Sequence, residues 1–439
     1  MNFTKRPPSK KLNLQRRYLG MTALEMSQAD RIESYLLSYA RVFNRVKYSI
    51  AEEKKEKMKD KIIRLHRCYC SLVRVPDELR DNEPLPPLHR RHRTIDSFLD
   101  NEIPIFFRFR TKDQLHCLIA GFQIPHIFRS DSGHVFHGEE TLLVSLYRLH
   151  RPTTVGDSGF KTEFGIYNSQ VSECVHCFLG FIIPNWKYLL TDNMDFWVPY
   201  MAEFAQAISN KVQELSGFEF PNSDEIGGLS VYAFIDNTNN ATCRAGGGPA
   251  RDGTLAPRND PMIQRAVYNG WKKKHGWKWQ TVDLPNGMNF HVYGPESLRH
   301  NDLFTLHEIN VNDKTANCQA GHPIQYVIYG DSAYIVINDT HIRCRYFNEP
   351  LTVFQASMNR AFSSCRECIE WDYGNVGTMW AMLDYPKGLK MRSMPVGDMY
   401  LCAMLLRNAY VTMNGGITQH YFNCDPPTLE DWLERGPLP

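Results

Sequence analysis

Apolar positions follow two different periods along this chain. Up to about residue 227 they recur every three or four residues, the spacing that lays a stripe along one face of a helix. Within residues 22–75, Ile32, Tyr35, Leu36, Tyr39, Val42, Phe43 and Val46 form such a stripe. The charge-rich run Glu52 to Lys61 reads as a solvated helix face. Pro76, Pro84, Pro86 and Pro87 mark a linker, and the basic cluster His89 to Arg93 follows it. Thr111 to Ala120 has helical spacing, as does Thr141 to Leu149. The latter is opened by Gly138, Glu139 and Glu140, acids suited to a first turn. Asp157 to Gly165 and then Ser169 to Ile183 predict a short helix, a turn and a second helix. A helix-turn-helix has this pattern, and its second helix can enter a major groove. Two helices of an ordinary core have it too.

Near residue 228 the period shortens. Leu229 to Asp236, Trp277 to Asp283, Met288 to Tyr293 and Gln325 to Asp331 read as strands. Ser297 to Glu308, Thr352 to Tyr373 and Met399 to Met413 read as helices. Strands mixed with helices predict an α/β domain from 228 to 439. Residues 245–260 are rich in Gly, Pro and Asp and read as a loop, without the strand-to-helix setting of a phosphate loop. The expected organisation is a basic disordered arm over 1–20, a helical region and linker over 21–93, a helical, helix-turn-helix-like DNA-binding region over 94–227, and the α/β domain.

Composition narrows the classes. Of 439 residues, 43% are hydrophobic and 22% charged, which excludes a wholly disordered chain. Fifty Lys and Arg against 48 Asp and Glu exclude a uniformly basic protein, so any nucleic-acid face must come from local clusters. No apolar run approaches the ~18–20 residues that cross a bilayer. The twelve cysteines, with no apolar leader, predict reduced thiols inside a cell. Lys5, Arg6, Lys10, Lys11, Arg16 and Arg17 fall in residues 1–20 with no acid, a pattern for nuclear import, phosphate contact or merely a solvated tail. Cys174 and Cys177, like Cys365 and Cys368, have zinc-ligand spacing, but inside predicted helices such pairs read as core thiols.

The chemistry lies in acids. Val231 to Ile235 runs into Asp236, and Tyr326 to Tyr329 runs through Gly330 into Asp331. Aspartates just past buried strands sit where α/β sheets place ligand crevices. Burying them is costly without compensation, and a hard divalent cation such as Mg2+ compensates with oxygen ligands. The helix near Asn359 to Gly374 offers Glu367 and Glu370, the latter at the boundary of an apolar face between Ile369 and Trp371, with Arg366 one turn earlier to pair with it or with a phosphate. Three carboxylates can hold two metal ions ~3.5–4 Å apart and clamp the attacking and leaving oxygens of a phosphodiester. Arg265, Lys272, Lys273, Lys274, His275 and Lys278 are interleaved with Trp271, Trp277 and Trp279. Such cations neutralise phosphates, and such aromatics stack on splayed bases. The plainer alternative is a strand with outward lysines and inward tryptophans. Asn408, in an apolar helix, is expected to cap or bridge within the core, and the methionines around it to fill space.

From about residue 105 onward the chain resembles PIF/Harbinger transposases and their domesticated nuclease relatives. The resembling motifs come in order: Phe136-His-Gly-Glu-Glu-Thr-Leu-Leu with Tyr147-Arg-Leu-His-Arg-Pro, then Phe164-Gly with Ser169 and Val171-Ser172. Phe234-Ile-Asp-Asn-Thr, Tyr268-Asn-Gly-Trp-Lys-Lys-Lys-His and Gln280-Thr-Val-Asp-Leu-Pro-Asn-Gly follow. Arg299-His-Asn-Asp302, Tyr329-Gly-Asp-Ser-Ala-Tyr334 and Asn359-Arg-Ala-Phe-Ser-Ser with Ile369-Glu-Trp-Asp-Tyr-Gly374 complete the series. The resemblance implies an RNase H-like catalytic domain, a mixed sheet flanked by helices, with a DDE triad on Asp236, Asp331 and Glu370. Asp302 would be a fourth acid at or near the site. Of the two, Asp331, which ends a strand, is favoured as metal ligand and Asp302, which opens a helix, as support or simply as a helix cap, and the sequence leaves that choice open. It further implies a metal-dependent DNA endonuclease or transposase using Mg2+ or Mn2+. Its partners would be double-stranded DNA (transposon ends or target) and a Myb/SANT-like accessory protein, with a homodimer as a possible assembly. The nucleus is the expected location, with the cytoplasm until import. The chain departs at Asn237, where Gly is usual, and at Trp371 and Tyr373, where a basic residue and Phe are usual. Two rivals stand beside this: a domesticated DNA-binding protein without cleavage, and a two-metal hydrolase of small phosphates.

Overall fold

The computed structural model describes residues 92–156, 158–218, 229–244, 261–309, 314–316, 319, 325–334, 341–347, 350–391 and 394–437. The expected basic arm, the first helical stripe, the linker and the 245–260 loop lie outside them. Residues from His89 to Pro439 form one compact unit, so the expected 94–227 and 228–439 regions fall within it.

Lys112–Gly121 (α1), Gly138–His150 (α2), Ser158–Phe164 (α3), Asn168–Trp186 (α4) and Met201–Ser216 (α5) carry the helical part. In α2, Glu139 and Glu140 occupy the first turn and Arg148 the last, charges that complement the helix dipole at both ends. Gly165, with φ at +63°, makes the turn after α3, since only glycine adopts that conformation cheaply. The helix pair is thus where the spacing puts it. Yet α4 buries Val171, Cys174, Val175, Phe178, Leu179, Ile182, Ile183 and Trp186, and it contains no Lys or Arg. Its surroundings are those of a core helix, packed against α2. A small hairpin, Ile127–Arg129 (β1) with Val135–His137 (β2), interrupts the helical region. Strands of three residues are too short to show a period.

The main sheet contains Leu229–Ala241 (β3), Tyr268–Asn269 (β4), Lys274–Asp283 (β5), Asn289–Ser297 (β6), Gln325–Gly330 (β7) and Ile342–Arg343 (β8). β3 lies at its centre, antiparallel to β5 and parallel to β7. β6 pairs antiparallel with β5, and β8 parallel with β7. Tyr232, Ala233, Phe234 and Ile235 are fully buried, as expected of a central strand covered on both faces. Asp302–Ile309 (α6), Val353–Met379 (α7), Val396–Asn414 (α8) and Ile417–Phe422 (α9) complete the fold. α5 and α7 pack on each other and on β3, and α8 packs on α4 and β6. α7 starts with a capping box from Thr352 and Gln355. Its buried positions Met358, Ala361, Phe362, Cys365, Cys368, Ile369, Asp372 and Val376 follow helical spacing. Cys365 and Cys368 are therefore core thiols, with burial pushing Cys365 up to about 12 and Cys368 well above the ordinary range. Burial makes the thiolate a zinc ligand needs costly to form.

Candidate active site

β3 does not end at Asp236, as the sequence suggested; it runs five residues further to Ala241. What ends there is its parallel partner. The last β3–β7 pair is Ile235 with Gly330, so Asp236 and Asp331 are the next residues on adjacent strands. In parallel strands, residues at matching positions share a face. Across the other edge Asp236 pairs with Thr281. The strand end thus survives as a property of the β3–β7 pair, while β5 carries β3 onward.

Asp236 is held from three directions. The Asn237 amide donates to its Oδ1 at 2.7 Å. Arg366 Nη1, from α7, donates to its Oδ2 at 2.5 Å. The Tyr373 hydroxyl donates to its carbonyl oxygen at 3.0 Å and lies 2.8 Å from Thr281 Oγ1. Arg366 Nη2 lies 3.8 Å from Glu370 Oε1, one turn along α7. Asp236 and Arg366 side chains are each 18% exposed, whereas Glu370 is 63% exposed. Burial pushes the Asp236 carboxyl up to about 6. The Asn237 amide and Arg366 pull the other way, and the negative charges of Asp331 and Asp302 add to the rise. The three aspartates are electrostatic neighbours, and the end of the β3–β7 pair is short of positive charge.

Asp331 Oδ1 accepts the Ala333 amide at 2.8 Å and starts a one-turn 3-10 helix, Ser332–Tyr334. Tyr334, buried behind Gly330, receives a 3.0 Å hydrogen bond from Gln280 Nε2. Burial first, then the charges of Asp236, Asp302 and Asp331, raise its phenol well above the usual range. Its hydroxyl therefore stays protonated beside the acids.

Asp302 is differently engaged. It opens α6, but the cap is Asn301, whose Oδ1 accepts the Phe304 amide at 2.8 Å. Asp302 Oδ1 instead accepts Lys278 Nζ at 2.7 Å. That same ammonium donates to the His300 carbonyl at 2.6 Å. Asn237 Nδ2 reaches Thr305 Oγ1 of α6 at 3.5 Å. Asp236 thus leans toward α7 and its neighbour Asn237 toward α6, as strand alternation requires.

The basic segment divides. Lys272, Lys273 and Lys274 are exposed on the β4–β5 hairpin, as is Arg265 before it. His275 is half-buried and faces the Tyr268 ring at 4.8 Å. Lys278 is buried and committed to Asp302, so the reading of it as an outward lysine fails for that residue. Trp279 is buried and stacks on Tyr400 at 4.1 Å, Trp277 is half-buried, and Trp271 is 93% exposed. Between the hairpin and the acids lies a cleft of about 420 Å3, lined among others by Asn237, Asn269, Lys272, Arg299, Asp302 and Ala333.

Residues 251–408 match the family model described as DDE superfamily endonuclease. The match spans somewhat over a third of the chain, and supports the DDE superfamily for that region. It takes in the basic hairpin, Asp302, Asp331, Arg366 and Glu370, while Asp236 lies before it. No curated protein matches the chain, and no solved structure does.

The donors are carboxylates, the right chemistry for a hard divalent ion. Among the described residues, no three His, Cys, Asp or Glu are grouped to hold a metal ion. Arg366 stands between Asp236 and Glu370 instead and supplies positive charge there. Two residues escaped the sequence reading. Tyr373 stood out only as a departure from a motif, yet it ties α7 to the backbone of Asp236. Gln280 pairs with Asn237 across the strands and orients Tyr334. A glutamine inside an apolar strand was the available signal.

Proposed function

We propose that this chain is a metal-dependent DNA endonuclease or transposase of the PIF/Harbinger type, built on an RNase H-like core. The observation that carries the reading is the β3–β7 register. It makes Asp236 and Asp331 the residues that follow the last β3–β7 pair, with Arg366 of α7 bound to Asp236 and 3.8 Å from Glu370, and all but Asp236 lie in the DDE-matched region. Asp236, Asp331 and Glu370 are the proposed ligands of Mg2+ or Mn2+, with Asp302 in support through Lys278. Bound divalent ions would polarise the attacking water and steady the departing oxygen of the phosphodiester. The chain's own residues hold the acids on two strands and a helix, which suits a site that needs rigid positioning. Tyr373 fixes the Asp236 backbone, and Tyr334 keeps a neutral donor beside the acids. Arg366 and a bound cation would compete for Asp236 Oδ2, while Oδ1, which accepts only the Asn237 amide, keeps a free lone pair. The exposed cations Arg265, Lys272, Lys273 and Lys274 are the proposed phosphate contacts. Import to the nucleus and a Myb/SANT-like helper follow from the same resemblance.

The test is nicking of supercoiled plasmid by the purified protein, with and without Mg2+ or Mn2+. Nicking should require metal and fall at least ~100-fold in Asp236→Asn, Asp331→Asn and Glu370→Gln, since removing even an outer-shell partner costs 10–100-fold. Loss in Asp302→Asn with Asp331→Asn still active would reverse the two aspartate roles. Salt-sensitive DNA binding without nicking, with terminal repeats and a helper supplied, would favour the domesticated DNA-binding rival. That rival finds a footing in the Arg366–Asp236 pair, which offsets part of the buried charge without a metal.

A further inference from the structure

The β4–β5 hairpin holds out one large aromatic ring. Trp271 is 93% exposed, although the two other tryptophans of the segment turn into the fold. Single exposed apolar residues are ordinary on proteins. The setting of this one is not. Its turn is short: the four residues Gly270 to Lys273 close the hairpin beyond the Asn269–Lys274 pair, with Tyr268–His275 the next pair down. Asn269 Oδ1 accepts the Lys272 amide at 2.8 Å, and Asn269 Nδ2 donates to the Leu298 carbonyl at 2.6 Å. The turn is thereby pinned to the segment that leads into Asp302. Lys273 takes a left-handed φ of +51°, which turns the chain sharply after the ring. An aromatic presented on a fastened turn has already given up much of the freedom it would lose on binding.

Beneath the hairpin the cleft of about 420 Å3 opens toward Asn237 and Ala333, the neighbours in sequence of Asp236 and Ser332. Its volume falls in the range of small-molecule pockets. Lys278 in its wall is matched by Asp302, so Lys272 and Arg299 bring positive charge that this pair does not cancel. A rigid ring, two cations and a pocket beside the acids form a set suited to one nucleotide leaving a duplex. Aromatic rings stack on splayed bases whatever their sequence, and cations take the backbone phosphates.

We propose that Trp271 is a wedge: it stacks on a base displaced from the duplex beside the cut, while Lys272 and Arg299 hold the phosphates of that strand in the cleft. The proposal rests on the DNA-cleaving reading above and assigns the ring a role in opening the substrate. It predicts a local loss of pairing that a purely electrostatic DNA face would not cause.

The full chain would be bound to a thymine-containing duplex covering its mapped nick site and probed with permanganate, which oxidises unstacked thymines. Wild type and Trp271→Phe should expose a thymine next to the nick, and Trp271→Ala should not. Trp271→Ala should also lose about tenfold in DNA affinity with an unchanged slope of log K against log salt. Lys272→Ala should reduce that slope by about one and leave the thymine exposed. A Trp271→Ala protein that binds, nicks and unstacks like wild type would overturn the wedge alone. Wild-type protein that neither binds nor nicks DNA would overturn the DNA reading and the wedge with it. A change of oligomeric state in Trp271→Ala, with DNA affinity intact, would overturn it in favour of a protein contact.

Discussion

Two charged clusters in this molecule use the same parts and put them to opposite ends. Each combines an aspartate from the sheet, an acid from α7 and one arginine. In the first, Arg407 of α8 binds Asp372 of α7 and the Gly287 carbonyl. Asn289 donates to both Asp283 and Asp372, at 2.6 and 3.1 Å. Asn408 exchanges two hydrogen bonds with the Asn289 backbone, fulfilling its expected bridging role. Arg407, Asp372 and Asp283 are at most 5% exposed. In the second cluster, Arg366 bridges Asp236 and Glu370, Asp331 stands alongside, and Glu370 is mostly in solvent. The closed cluster has bound its charges to one another and fastens α7 and α8 to β5 and β6. The open one has too few cations for its acids and a route to solvent. Sealed ionic groups hold a fold together; under-compensated ones at an edge can accept a ligand.

The sharpest way to break this comparison is to remove each arginine. Arg407→Met should cost about 3–5 kcal/mol in urea unfolding, because it leaves two carboxylates buried without their cation. Burial already pushes Asp283 above the usual carboxylate range despite Arg407. Arg366→Met should cost far less, since its partners reach water. Equal losses would mean that both clusters are structural, and the distinction would fall.

The sequence disclosed these clusters unevenly. The elements that carry Asp236, Asp331 and Glu370 were legible, two as apolar strand runs and one as a helix with apolar spacing, and those elements formed. The strand end expected at Asp236 is not β3's own but that of its partner β7, whose register no single strand could reveal. Lys278 misled for a similar reason. In a run of lysines and tryptophans it looks like a surface cation, and only the fold brings Asp302 to within 2.7 Å of it. The Asp283–Asp372–Arg407 cluster was illegible because its members lie up to 124 residues apart on three elements. Such pairings are tertiary facts. Trp271, by contrast, looked like its two neighbours in the sequence, and its exposure depends on a four-residue turn.

A smaller effect should separate the clusters by pH. The Asp236 carboxyl is raised from 3.8 to about 6 in the folded chain. Folding therefore favours its protonated form. The stability this contributes is fully present below about pH 3.8, is lost as pH rises through about 6, and is flat above that. Asp236→Asn cannot ionise, so in metal-free buffer it should exceed wild type by up to about 3 kcal/mol at pH 7.5, at ~1.4 kcal/mol per pKa unit, less whatever Arg366 loses with its partner. The gap should close toward pH 4. Denaturant titrations at several pH values would read it, and parallel profiles for the two proteins would show that Asp236 is not short of compensation.

The smallest stability effect belongs to Glu370. Its contact with Arg366 spans 3.8 Å between neighbouring turns of α7, with the carboxylate 63% exposed. Pairs of that kind contribute about 0.3–0.5 kcal/mol. Glu370→Gln should therefore unfold within about 0.5 kcal/mol of wild type at pH 7.5. The same substitution is expected to abolish metal-dependent nicking. A residue whose removal leaves stability intact and ends the chemistry is held for the chemistry, because nothing in the packing requires an acid there. A loss of several kcal/mol would instead make Glu370 a structural partner of Arg366, and the open cluster a looser copy of the closed one.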